Sequence, residues 1–440
     1  GTGAAWGSIT GGFKQGKNAI ACGNLDAYGV LDASSSRGPS EDGRVKPDIC
    51  ANGKDQNSTR DENRYQIGGG TSAACPGIAG ITAQLVQGYR ELFPGTEAPS
   101  PLLKGCMLNS AEDIGNPGPD FTYGWGRVNA FRALNTLQEN RYILDSLSQG
   151  GSNQHVILVP ANTRQLKCMV YWLDVEGDPV ASIALVNDLD MTVEDPSTSV
   201  FEPWILDPTP VIINITAPAV RGVDHLNNME QVTIDNPAQG SYIVEVNGTL
   251  IPSGVQEYYV IWEFQSEEIK LTYPDGGEGF VPGETEALRW DAYEGTDLFS
   301  LQYSVDMGGS WTNIMTSIPA DSRQFVWTIP SNISDRVLVR INRGIYSDQS
   351  DNALAIMRLP SVLNVDFVCL NLTQLSWTAA NGATSYEVSI LGAKYMDSVA
   401  TVTGTSIQLS ISDTVDTWFS VRSIGANGGK GRRAVAVHKF

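Results

Sequence analysis

The run Gly68-Gly69-Gly70-Thr71-Ser72-Ala73-Ala74-Cys75-Pro76-Gly77 leads straight into the apolar stretch Ile78 to Gly88. Three consecutive glycines carry no side chains, so another backbone can come close to this segment. Ile78, Ile81, Leu85 and Val86 recur at helical spacing, and Ala79, Gly80 and Ala83 keep the other faces narrow. The spacing predicts a buried helix whose first turn holds Ser72, with Pro76 placed where a missing N–H is tolerated. A hydroxyl at such a helix start meets free backbone donors and the positive end of the helix. Those donors stabilise an oxyanion as readily as they accept a cap, so two readings stand side by side: a capping Thr71 or Ser72, and a nucleophilic Ser72.

Outward from the helix, Ala33-Ser34-Ser35-Ser36-Arg37-Gly38-Pro39 and Asp42-Gly43-Arg44-Val45-Lys46-Pro47-Asp48-Ile49 precede it, and Tyr123-Gly124-Trp125-Gly126-Arg127-Val128-Asn129-Ala130 follows. In this order the three stretches resemble the "SSRGP…KPDI" segment, the serine box and the "YGxGxVNA" close of the subtilisin-like serine proteases. The resemblance implies a partial α/β domain, with a parallel sheet and a buried serine helix. Ser72 would be the nucleophile and its backbone N–H an oxyanion donor. Gly68, Gly69 and Gly70 would lie along the substrate, a polypeptide. Where the family has Ala-Pro-Gly after "KPDI", this chain has Ala51-Asn52-Gly53, a looser turn expected to touch no catalytic group.

The family's chemistry also needs an Asp, a His and an oxyanion Asn ahead of the serine. His155, His225 and His438 all follow Ser72, so none takes the base's place, and His155 and His225 read as structural. Gly1-Thr2-Gly3 resembles the sequence just after the oxyanion asparagine, which excludes Asn18 and Asn24 as replacements. The expectation is a chain that needs the N-terminal part of the same precursor as its partner and is inactive by itself.

A length of 440 residues implies several domains, and 41% hydrophobic content is enough for real cores. The net charge of −20 argues against a nucleic-acid partner. No apolar run has the ~18 residues of a transmembrane segment, and no signal peptide is readable at the N-terminus, so the chain is cytosolic or already processed. Cys22, Cys50, Cys75, Cys106, Cys168 and Cys369 have no metal-type spacing and read as free thiols. The chemistry requires no cofactor. Calcium is the one ion considered: Asp188 and Asp190, beside Asn187, offer the oxygen ligands hard cations prefer, while the competing and commoner arrangement is a solvated acidic face. Asp224 and Asn227 form a comparable pair, and Asp26 and Asp32 lack supporting spacing.

From Ser148 onward, short alternating runs separated by turn residues predict β-sandwiches. Expected strands include Asn153 to Val159, Leu166 to Leu173, Leu189 to Val193, Val211 to Ile215, Glu230 to Ile234, Ser241 to Val246 and Glu257 to Phe264. The expected organisation is a subtilisin-like part over 1–147 and a jelly roll over 148–266. An Ig-like sandwich over 267–359 carries Tyr273-Pro274-Asp275-Gly276-Gly277-Glu278, and a fibronectin type III-like one over 360–440 carries Leu375-Ser376-Trp377. Tails of this kind imply a secreted or bacterial cell-surface protein. The second function class is a non-catalytic surface adhesin built on a degenerate protease domain.

Overall fold

The computed structural model describes residues 6–61, 64–179, 181–412 and 414–439, so the Gly1-Thr2-Gly3 reading lies outside the described residues. The chain divides into two compact units, one ending at Ser266 and the other beginning at Glu267.

In the first unit, β1 (Cys22–Leu25) and β2 (Ile49–Asn52) pair in parallel, Cys22 opposite Ile49. A hairpin of β3 (Gln56–Arg60) and β4 (Arg64–Gly68) leads to α1 (Thr71–Leu92). These strands bury almost nothing, so no apolar alternation marked them. Helix α1 turns Ala74, Ile78 and Leu85 inward, one stripe at helical spacing. Ile81, Val86 and Tyr89 pack partly against the same core, whereas Cys75, Pro76, Ala79, Gly80 and Ala83 are exposed, which corrects the expectation of a buried helix. Helix α2 (Ser100–Asn109) is buried from Leu102 onward. Helix α3 (Ala130–Gln138) follows the motif at 123–130. The Asn129 side chain caps it through the N–H of Arg132, and Tyr142 already belongs to a strand.

That strand, β5 (Tyr142–Leu147), opens a sandwich with β6 (Ser152–Val159), β7 (Gln165–Tyr171), β8 (Asp188–Glu194), β9 (Val200–Phe201), β10 (Trp204–Ile205), α4 (Ile212–Ile215), β11 (Val220–Arg221), β12 (Met229–Asp235), β13 (Gly240–Leu250) and β14 (Gln256–Gln265). One sheet runs β12-β7-β14-β5 and the other β6-β13-β8-β9, while β10 and β11 pair apart. The segment Val211 to Ile215, expected as a strand, is a single helical turn. Asp207 holds Asn214 at 2.6 Å, and the Thr216 N–H closes the turn on the Ile212 carbonyl.

Strand β7 is buried on both faces. Leu166, Cys168 and Val170 point into the sandwich core, whereas Met169 and Tyr171 join α1, α2 and α3 in a second core with Met229, Tyr259 and Ile261. This is why Leu166 to Leu173 reads as a nearly unbroken apolar run.

The second unit holds two more sandwiches. In one, Leu288 and Trp290 of Thr285–Ala292 share a core with Val337, Val339 and Ile341 of Ser334–Arg343, on two different sheets. In the other, Leu375 and Trp377 pack with Tyr386, Val388, Phe419 and Val421, again across two sheets.

Candidate active site and an acidic cluster

Ser72 stands exposed in the first turn of α1. Gly70 precedes the helix with φ 106°, a conformation that a side chain disfavours. Its carbonyl accepts the N–H groups of Ala73 at 2.9 Å and Ala74 at 3.2 Å. The N–H of Ser72 meets no hydrogen-bond acceptor among the described residues, as expected for the second residue of a helix. Pro76 falls in the second turn rather than the first, so it has no N–H to give the Ser72 carbonyl.

The looser turn at Asn52-Gly53 sits directly beneath this helix start. The Gly53 N–H donates to Leu25 at 3.0 Å, and its carbonyl accepts the Gly70 N–H at 2.9 Å. A Cβ at Gly53 would lie 2.5 Å from Ala74 N, Asn24 Oδ1 and Gly70 O. The turn therefore fixes the backbone two residues before the serine. Gly69 is confined in the same way, its added Cβ 2.8 Å from the Gly53 carbonyl, while Gly68 faces open space.

β2 is held by a buried charge cluster that the sequence did not announce. Asp48 is ion-paired with Lys46, and Lys104 Nζ lies 3.1 Å from its other oxygen, an ion pair without hydrogen-bond alignment. The Ala21 N–H donates to Asp48 at 2.7 Å, and Lys104 also donates to the carbonyls of Lys17 at 2.9 Å and Ala19 at 3.0 Å. Burial raises the Asp48 pKa, but Lys104 and Lys46 outweigh it and hold the carboxyl below its ordinary value. Burial pulls Lys46 down to about 8, so it stays charged at neutral pH.

Each histidine has a partner of its own. His155 Nε2 lies 2.9 Å from the Tyr258 hydroxyl, with burial holding its pKa below the usual value. His438 meets Asp416. Asn18 is tied to the carbonyl of Asp174 and to the side chain of Asn228. Asn24 is fully buried, its side-chain amide without a hydrogen-bond partner.

His225 belongs to a different constellation. Its Nδ1 lies 2.7 Å from Asp188 Oδ2 and 3.9 Å from Asp190 Oδ1. The donor atoms of Asp188, Asp190 and His225 all fall within 4.8 Å of one another. Burial raises Asp188 to about 6, with Asp190 adding to the rise and the His225 hydrogen bond opposing it. Glu230, wholly buried on β12, is pushed well above its ordinary value by burial and by Asp224, Asp190 and Asp188. Asp224 and Asn227 are engaged in hydrogen bonds of their own. Asp224 accepts the N–H groups of Leu226 and Asn227 and the Asn227 amide, while Asn227 Oδ1 accepts the N–H of Val45 at 2.9 Å. The sequence reading found the two aspartates and missed His225 and Glu230. Their shared stretch, Asp224 to Glu230, was the available signal.

Residues 4–126 match the model of the Subtilase family, peptidase S8. Among curated proteins, the chain is similar to the serine protease/ABC transporter B family protein tagA of Dictyostelium discoideum. The two are 23% identical over 267 residues, 52% of this chain and 15% of that protein. It is similar to tagB of the same organism, 25% identical over 336 residues, 58% of this chain and 17% of that protein. The chain thus spans about a sixth of the length of these relatives. Among solved structures, the self-cleaved protease domain of PatA is 22% identical, covering 29% of this chain and 44% of its own, with a TM-score of 0.25. The FN1-FN3 domains of chicken CNTN1 are 11% identical, covering 66% and 98%, with a TM-score of 0.22. Among the described residues, no helix is long and apolar enough to cross a membrane. The start of α1 with Ser72 lies within the stretch that matches the subtilase model.

Proposed function

We propose that this chain is the serine-bearing part of an exported subtilisin-like endopeptidase, with Ser72 as nucleophile. One observation carries the reading. Inside the subtilase-matched segment, Ser72 is exposed in the first turn of α1, beside a backbone N–H with no acceptor among the described residues. The hydroxyl attacks the scissile carbonyl and passes its proton to an imidazole. A C–O bond forms, and the carbonyl oxygen becomes an oxyanion facing the Ser72 N–H. Collapse expels the amine, which takes the proton, and leaves an acyl-enzyme that water hydrolyses. No histidine precedes Ser72 in this chain, so the imidazole, its Asp and the oxyanion Asn belong to the N-terminal part of the precursor. Gly68 to Gly70 form the edge along which substrate backbone lies. The sandwich over 148–266 is a jelly roll, and those over 267–359 and 360–440 are Ig-like and fibronectin type III-like spacers or docking surfaces.

The test is labelling by a serine-directed fluorophosphonate. The full-length precursor acquires one adduct, Ser72→Ala abolishes it, and peptidase activity falls by about 10⁴-fold or more. This chain alone cleaves peptides no faster than background. An intact precursor that takes no adduct refutes the nucleophile and favours an adhesin built on a protease relic.

A further inference from the structure

The acidic cluster at the end of β8 carries an inference that the protease reading does not contain. Asp188 is 7% exposed, and its Oδ1 has no hydrogen-bond partner. Glu230 is 0% exposed, with Oε2 receiving the Met191 N–H at 2.6 Å and Oε1 receiving nothing. Asp190 Oδ2 accepts a hydrogen bond from the Thr249 hydroxyl, while its Oδ1 is hidden from water and accepts none. Three carboxylate oxygens are thus withdrawn from solvent without a donor. A buried acceptor left unmatched loses its hydration without recompense, and the mutual repulsion of the acids adds to the cost. Lysine or arginine would ordinarily answer such a cluster, yet among the described residues none pairs with these three acids. Among those residues the imidazole of His225 is the only basic group ion-paired with them, and it is more than half exposed.

The spacing suits a shared ion. Donor atoms that lie about 2.0–2.2 Å from one metal stand about 3–4 Å from each other; the ligand atoms here gather within 4.8 Å of one another, and the 2.7 Å hydrogen bond from His225 to Asp188 is the contact an entering ion would replace. We propose that Asp188, Asp190 and His225 bind one divalent cation of the Zn²⁺ or Mn²⁺ type, with the buried Glu230 carboxylate as its further counter-charge. The imidazole nitrogen moves the choice away from Ca²⁺, which takes oxygen ligands. Thr249 orients Asp190 so that Oδ1 is the atom offered, and the exposed side of His225 gives the ion its way in. The ion ties the 222–228 loop to strand β8 and neutralises the buried acids.

The whole chain, stripped with EDTA, is titrated with ZnCl₂, MnCl₂ or CaCl₂ in a calorimeter and in thermal unfolding. Zn²⁺ or Mn²⁺ binds once per chain and raises the first unit's melting temperature by several degrees. His225→Ala weakens binding at least tenfold, and Asp188→Asn with Asp190→Asn abolishes it. Co²⁺ in place of the native ion gives visible absorption bands that change with His225→Ala. Should the double variant fail to fold, His225→Ala decides alone, because its side chain lies largely in solvent. Three results overturn the proposal: no stoichiometric uptake, uptake that survives His225→Ala unchanged, or Ca²⁺ binding more tightly than both other ions.

Discussion

At Asp48 one carboxylate answers two buried ammonium groups and one backbone N–H. Removing a single member of such a cluster leaves an uncompensated buried charge, which costs about 3–5 kcal/mol. Asp48→Asn is therefore expected to lower unfolding stability by that amount in urea titrations of the first unit. The pH dependence follows from the direction of the shift. The folded pKa of Asp48 lies below its unfolded value of 3.8, so its contribution is complete above pH 3.8. It is lost as pH falls below 3.8 through the folded value, and Asp48→Asn removes that acid-limb loss. Ser72 was legible in the sequence because its neighbours form a motif. Asp48 was legible only as part of "KPDI", since nothing local says that Lys104, 56 positions away, arrives beside it. The contacts of His225 were hidden for the same reason: its partners lie on a strand about 35 residues earlier.

For the elements, the start of α1 is the informative case. Its apolar stripe, its glycines and its serine were all readable, because helical spacing is a local property. The support under it was not. Gly53 lies in a turn between β2 and β3, and its tight contacts with Gly70, Ala74 and Asn24 arise only when β1, β2 and α1 come together. Gly53→Ala places a methyl group against backbone on two sides, so the helix start must shift. In the full-length precursor, the fluorophosphonate labelling rate is expected to fall at least tenfold with circular dichroism unchanged, and stability to drop by about 1–3 kcal/mol. Equal labelling rates for variant and parent would separate the turn from the nucleophile. The β3–β4 hairpin marks the opposite limit, since strands that bury nothing leave no pattern to read. Sandwich strands were easier, because one face is apolar and turn residues bound them.

Over the whole molecule, the exposed face of α1 is a surface that chemistry can probe. Cys75 lies on it and is exposed, as is Cys369, whereas Cys50, Cys106 and Cys168 are buried with their thiols pushed up by burial. A chromogenic disulfide reagent is expected to titrate Cys75 and Cys369 rapidly in this chain and to spare those three. In the full-length precursor, Cys75 becomes protected. Continued fast reaction of Cys75 there would show that nothing covers the helix. A second expectation concerns truncation. Met169, Tyr171, Met229, Tyr259 and Ile261 all come from the sandwich and pack beneath the helices. Each contributes about 1.5–3 kcal/mol by burial, together comparable with the about 5–15 kcal/mol that keeps a domain folded. A product ending at residue 147 is expected to bind a hydrophobic dye strongly and precipitate, whereas one ending at 266 stays in solution.

Strand β7, filled on both sides, has a wider meaning for how this chain can change over time. A module that shares a partition with its neighbour cannot be exchanged, deleted or drift freely, because every replacement must suit two interiors at once. The sandwich over 148–266 is thus less an attachment than half of the mould in which the serine-bearing layer takes shape.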